Sequence, residues 1–137
     1  MDLDAMKDLL NEEDRFCRYN GIRLDVLRTG YAEAVMDLNE HTMNGIGIVQ
    51  GGALFTLADF AFAGAGNSYG VHMVGLSSNI NFIRPGTGGQ LRAKASEISR
   101  GSRTCVYRVE IFNDAGKLVA HGTFTGFITG EPFQTRP

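Results

Sequence analysis

Residues 53–66, ALFTLADFAFAGAG, are helix-forming through about Ala63 and apolar on nearly every side. A helix without a solvated face cannot rest on the outside of a domain; protein has to wrap most of its circumference. The chain has 137 residues, enough for one well-packed domain (1–137) and too few for two. The wrapping must therefore come from the rest of this chain. Asp59 interrupts the stretch, which is also too short to span a bilayer.

The flanking sequence reads mostly as strand. Ile22, Leu24 and Val26 alternate with polar residues, Thr29-Gly30 supplies a turn, and Ala32, Ala34, Met36 and Leu38 alternate again, which predicts a hairpin. After Gly70, period-two patterns run over 71–83, 91–98, 104–112 and 117–129, separated by PGTGG, RGSR and NDAG turns. Alternation slips at Ser96-Glu97, where a bulge is expected. At the start of the chain, Leu3, Met6, Leu9, Leu10 and Phe16 fall at helical spacing over 3–19. Asn20-Gly21 stops the pattern, so 1–20 form an amphipathic N-terminal helix. The tail, 130–137, is expected to fray. Sequential hairpins favour an antiparallel sheet, and a helix apolar all round fits a sheet that curls about it. The expected class is α+β: a curled antiparallel sheet wrapped around one long central helix, the geometry of a hotdog fold.

A net charge of −2 and a pI near 5.9, with no run of Lys or Arg, leave no basic footprint for nucleic acid. Cys17 and Cys105 lie far apart without ligand spacing, so no metal site or disulfide framework is expected, and both read as reduced, buried small hydrophobes. The opening MDLDAMKDLLNEEDR is acidic and lacks the apolar run of a signal peptide. A soluble, cytoplasmic protein without a membrane partner is expected.

Between Glu40 and Arg84 one formally charged side chain occurs, Asp59, seven residues after Gly51-Gly52. A carboxylate alone in an apolar stretch is costly to bury, which makes it the first candidate for chemistry. Gly51-Gly52 should open the helix, where free N–H groups and the positive dipole end can hold an oxyanion. Asp59 shares a face with Gly52 and Thr56 but lies two turns on, about 10 Å away. One helix cannot place this carboxylate beside an oxygen held at its own N-terminus. In a dimer with antiparallel helices, Asp59 of one chain can face the N-terminus of the other, giving two composite sites. Oxyanion donors with a nearby base or nucleophile are what hydrolysis of an activated acyl group requires. Paired glycines also serve tight turns, and a buried Asp can simply satisfy backbone donors, so spacing alone leaves both readings open.

The segment NGIGIVQGGALFTLADFAFAGAGNSYG closely resembles the signature of the PaaI-type (phenylacetate-degradation) acyl-CoA thioesterases of the hotdog-fold, 4-hydroxybenzoyl-CoA thioesterase-like superfamily. The likeness extends to about Phe127. It implies hydrolysis of an acyl- or aryl-acyl-CoA to the free acid and coenzyme A. It also implies a homo-oligomer in which dimers of hotdogs pair into a tetramer, with coenzyme A as part of the substrate and no separate cofactor. By the same resemblance, Asp59 is the catalytic carboxylate, as nucleophile or as base, and the Gly51 N–H polarises the thioester carbonyl. Asn44 orients that carbonyl, while Arg84 and the turn Gly101-Ser102-Arg103 contact coenzyme A; arginines beside a turn are also commonly just solvated.

Two positions depart from the family pattern: its histidines are Ile46 and Gln50 here. Glutamine exchanges hydrogen bonds but does not titrate near neutral pH, so Gln50 enters the catalytic set as an orienter. Activity survives if the family histidine only orients, and falls if it moves protons. The alternative is therefore an acyl-CoA-binding hotdog protein with little or no turnover, a sensor or scaffold. A hydratase wants a histidine with its carboxylate, which this loop lacks. Some relatives hold the attacking water with a hydroxyl where Gly75 stands, and neither Ser77 nor Ser78 is assigned that role. His41 either touches substrate or is solvated, His72 and His121 read as strand residues, and Asn67 closes the helix. Phe55, Phe60, Phe62 and Phe82 fill the core or the dimer interface, or line an acyl pocket.

Overall fold

The structure is a computed structural model, described over residues 1–134. Its elements run α1 (Leu3–Glu13), α2 (Arg15–Tyr19), β1 (Ile22–Arg28), β2 (Tyr31–Asp37), a single 3-10 turn (Glu40–Thr42), α3 (Gly51–Asn67), β3 (Val71–Phe82), β4 (Gln90–Arg100), β5 (Thr104–Phe112) and β6 (Leu118–Pro132). The six strands form one antiparallel sheet in the order β1-β2-β4-β5-β6-β3. The sheet curls around α3, which packs on every strand. The expected hotdog architecture is borne out.

Small residues let the helix settle onto the sheet. Ala32 pairs with Ala95 and Ala34 with Ala93 across β2 and β4, all four fully buried, leaving depth for Leu57, Ala61 and Phe62 of α3. A fully buried Leu or Phe contributes about 1.5–3 kcal/mol relative to exposure. The hairpin turns at Thr29-Gly30, with Arg28 opposite Tyr31 and Gly30 at φ 73°. The expected bulge falls between Glu97 and Ser99.

Three expectations are corrected. The N-terminal helix is two helices, because Asp14 turns its carboxylate onto the Cys17 N–H (3.0 Å) and caps a second segment instead of continuing the first. The central helix passes Ala63 and ends at Asn67. Its glycines are retained for close packing, since a Cβ on Gly64 would sit 3.0 Å from a Leu24 methyl and one on Gly66 only 2.1 Å from Cε of Met73. The tail is ordered further than expected, with Pro132 opposite Val71 and the Phe133 N–H bonded to the Gly70 carbonyl (2.9 Å); residues 135–137 lie outside the described residues. As expected, α3 is wrapped on most of its circumference; Gly52, Phe55 and Asp59 are exposed and Thr56 half-buried, a continuous uncovered stripe.

The two sheet edges differ. On β1, the Leu24 N–H donates to Oδ1 of Asn11 (2.7 Å) and Nδ2 of Asn11 donates to the Leu24 carbonyl (3.0 Å), so α1 closes that edge. On β3 the outer edge is open, and Val74, Leu76 and Phe82 are each at least half exposed. Cys17 and Cys105 are free and buried, and desolvation raises both thiol pKa values. No helix among the described residues is long and apolar enough to cross a membrane.

Candidate active site

The loop before α3 is tied down on both sides. Oδ1 of Asn44 accepts the Ile46 (3.0 Å) and Ile48 (3.2 Å) N–H groups, and the Asn44 N–H donates to the Ile48 carbonyl (2.7 Å), closing a small turn in which Gly47 has φ 83°. The Val49 N–H donates to the Gly86 carbonyl (3.1 Å) and the Gln50 N–H to that of Thr42 (2.9 Å), which fixes where the helix begins. Gln50 is the N-cap: its side-chain carbonyl accepts the Gly52 N–H, and its backbone carbonyl accepts those of Ala53 (3.0 Å) and Leu54 (3.2 Å). The Gly51 N–H has no acceptor among the described residues. The Phe82 ring lies 3.4 Å from where a Gly51 Cβ would stand, so glycine keeps this donor approachable.

Asp59 sits two turns along the uncovered stripe. The buried carboxylate expected from the apolar run is corrected: within one protomer the side chain is exposed, because the sheet leaves this face of α3 bare. Surrounding protein still desolvates it enough to raise its pKa above the ordinary aspartate value, and the like charge of Asp14, the N-cap of α2, adds to the rise. Both effects move the carboxylate toward the range of a useful base.

Two cavities flank the start of α3. One, of about 350 Å³, brings together Asn44, Gly51, Phe82 and Arg84. The other, of about 440 Å³, lies across Gln50 and is lined by Gly52 and Thr56, by His41 and by Phe16 of α2. The expected residues thus divide, with Gln50 on the second cavity and Asp59 on neither. Gly101, Ser102 and Arg103 lie elsewhere: the neighbouring Arg100 donates to the Gly66 carbonyl (3.3 Å), placing this turn at the far end of a helix about 25 Å long. Phe60 and Phe62 are core, whereas Phe55 and Phe82 are exposed. Asn67 closes α3 as expected, donating to the Ala63 carbonyl (2.8 Å) and accepting the Met73 N–H (2.9 Å). Gly75 lies mid-strand beside the second bulge of β3. Neither the wall that α2 gives the second cavity nor the capping by Gln50 is signalled in the sequence, since Ser, Thr, Asp and Asn are the usual side-chain caps of a helix start.

The thioesterase superfamily pattern matches residues 46–120. Acyl-coenzyme A thioesterase PaaI of Escherichia coli is 38% identical over 126 residues, 88% of this chain and 90% of that protein. The solved structure of the E. coli PaaI protein superposes with a TM-score of 0.91 at 33% identity, covering 96% of each chain. A hypothetical thioesterase protein of Streptococcus pneumoniae, solved with coenzyme A, matches at TM-score 0.78 and 31% identity over 84% of this chain and 94% of its own. With the curled sheet around one glycine-opened helix, the superfamily pattern over more than half of its length and these relatives, the chain belongs to the thioesterase superfamily, as a PaaI-type hotdog thioester hydrolase.

Proposed function

We propose that the protein hydrolyses acyl-CoA thioesters to the free acid and coenzyme A at sites shared between two protomers. The carbonyl oxygen lies on the Gly51 N–H at the positive end of α3. Asp59 of the second protomer either removes a proton from water, whose oxygen then attacks the carbonyl carbon, or attacks it directly to form an anhydride that water later opens. In both routes the tetrahedral oxyanion collapses to expel the coenzyme A thiolate, which takes up a proton.

The observation that carries this reading is the donor left open at Gly51 while Gln50 occupies its neighbour, on a helix whose bare stripe also presents Asp59. The unequal edges support a second copy against β3, since α1 already closes β1. Antiparallel α3 helices would carry the Arg100–Arg103 turn of one copy toward Arg84 of the other, so both coenzyme A segments would serve one substrate. Pairing of two dimers into a tetramer belongs to the same proposal.

The test is thiol release from a panel of acyl-CoAs by wild type and Asp59→Ala. Turnover abolished by the substitution is expected. Tight acyl-CoA binding by wild type without turnover would establish the sensor or scaffold reading instead.

A further inference from the structure

A thioester carries one substituent on each side of its carbonyl, so an oxygen seated on the Gly51 N–H sends the acyl group and the thiol arm in diverging directions. The structure offers one cavity for each: Gly51 itself lines the first, and its neighbours Gln50 and Gly52 line the second. We infer that the second cavity receives the acyl group, that this group is uncharged and apolar, and that α2 sets its size, with Phe16 as the outer wall. The inference rests on the thioesterase reading and adds the acyl pocket to it.

Charge assigns the two sides. Arg84 stands on the first cavity, where the phosphates of coenzyme A gain from a cation. The second has no Lys or Arg in its wall, and Phe16, Ile22 and Met36 give it apolar sides. Three of its polar residues spend donors on backbone, which leaves the Gln50 amide nitrogen and the His41 ring as its free side-chain donors. Nδ2 of Asn20 donates to the Phe16 carbonyl (2.8 Å), the Thr42 hydroxyl to that of Asn39 (2.8 Å) and the Thr56 hydroxyl to that of Gly52 (2.9 Å). Gln50 and His41 flank the helix start, while Phe16, Ile22 and Met36 offer a polyhydroxylated or ionised acyl group no donor. The volume, about 440 Å³, falls within the roughly 300–1,000 Å³ of small-molecule sites. The placement also gives a purpose to Phe16, an aromatic 63% exposed in the single chain on a five-residue helix beside Gly52 and Thr56.

The experiment compares wild type, Phe16→Ala and Thr56→Leu on acetyl-, hexanoyl-, decanoyl- and benzoyl-CoA, with inhibition by free coenzyme A measured in parallel. Phe16 is exposed, so its truncation leaves the core intact. Phe16→Ala should change the decanoyl-to-acetyl ratio of kcat/KM by about tenfold or more, Thr56→Leu should lower that ratio, and inhibition by coenzyme A should be unchanged. Equal effects on every acyl group would overturn the proposal, as would altered coenzyme A inhibition, which would mean that the cavity holds the thiol arm. Wild type inactive on all four would remove the thioesterase reading and the pocket together; active wild type with unchanged selectivity in the variants removes the pocket alone.

Discussion

Replacing Gln50 by alanine separates capping from catalysis at the position where the family pattern has histidine. In the structure the Gln50 side chain does one identifiable thing: its carbonyl takes the Gly52 N–H. Losing a Ser, Thr, Asp or Asn N-cap costs about 1 kcal/mol, and the one Gln50 bond is taken at the same size. With an unfolding entropy of roughly 2.1 cal/mol/K per residue, 137 residues give about 0.29 kcal/mol/K, so the Tm should fall by about 3–4 °C. The Gly51 N–H is untouched by the change, so kcat should stay within about threefold of wild type, whereas losing a direct oxyanion donor costs on the order of 10²–10³. Calorimetry and steady-state thiol release on the same preparation report both quantities. An unchanged Tm with a hundredfold loss of kcat would refute the capping assignment and place Gln50 against the substrate. Gln50→His sharpens the comparison, since a large gain in rate would show that the family histidine moves protons.

Asp59→Asn should abolish turnover yet raise the Tm near neutral pH. The folded pKa is raised, so this group's contribution to stability is fully present below the ordinary aspartate value of about 3.9 and is lost as pH climbs through the raised one. The Tm advantage of the variant should therefore shrink as pH is lowered from about 7 to about 4.5, and an advantage that grows instead would contradict the desolvation of Asp59. Gly122→Ala should destabilise by about 3 kcal/mol or more, because a Cβ there would lie 1.9 Å from the Asn79 carbonyl of β3, a backbone atom that cannot swing aside. Gly45→Ala, with nothing within 4 Å, is the control; equal denaturation midpoints for the two variants would show that β3 and β6 can separate.

The central helix, the Thr29-Gly30 hairpin and the later strands were legible because each rests on local chemistry: continuous apolar sequence, a turn pair, period-two alternation. The break at Asp14 was not, because a side chain capping three residues ahead competes with a helical pattern that otherwise continues unbroken. The extension past Ala63 was hidden by Gly64 and Gly66, which read as stops until Leu24 and Met73 are seen against them. Composition shows that Phe55 is apolar and Asp59 charged, but not that both stand on one bare stripe, because that depends on where the sheet stops curling. The helix start at Gly51 was readable from the paired glycines, and the roles proposed for Gly51 and Asp59 rest on spacing and resemblance. The cavity walled by α2 was not, since it depends on how a five-residue helix packs.

The open flank of β3 also bears on how the protein is made. Its twelve residues include no Lys, Arg, Asp, Glu or Pro, the side chains that usually blunt a free strand edge. A newly synthesised chain therefore emerges with an unguarded template for strand addition, and the pairing proposed above would have to outrun promiscuous pairing. Refolding yield should depend on concentration in both directions: too dilute and the edge waits unpaired, too concentrated and it recruits partly folded neighbours.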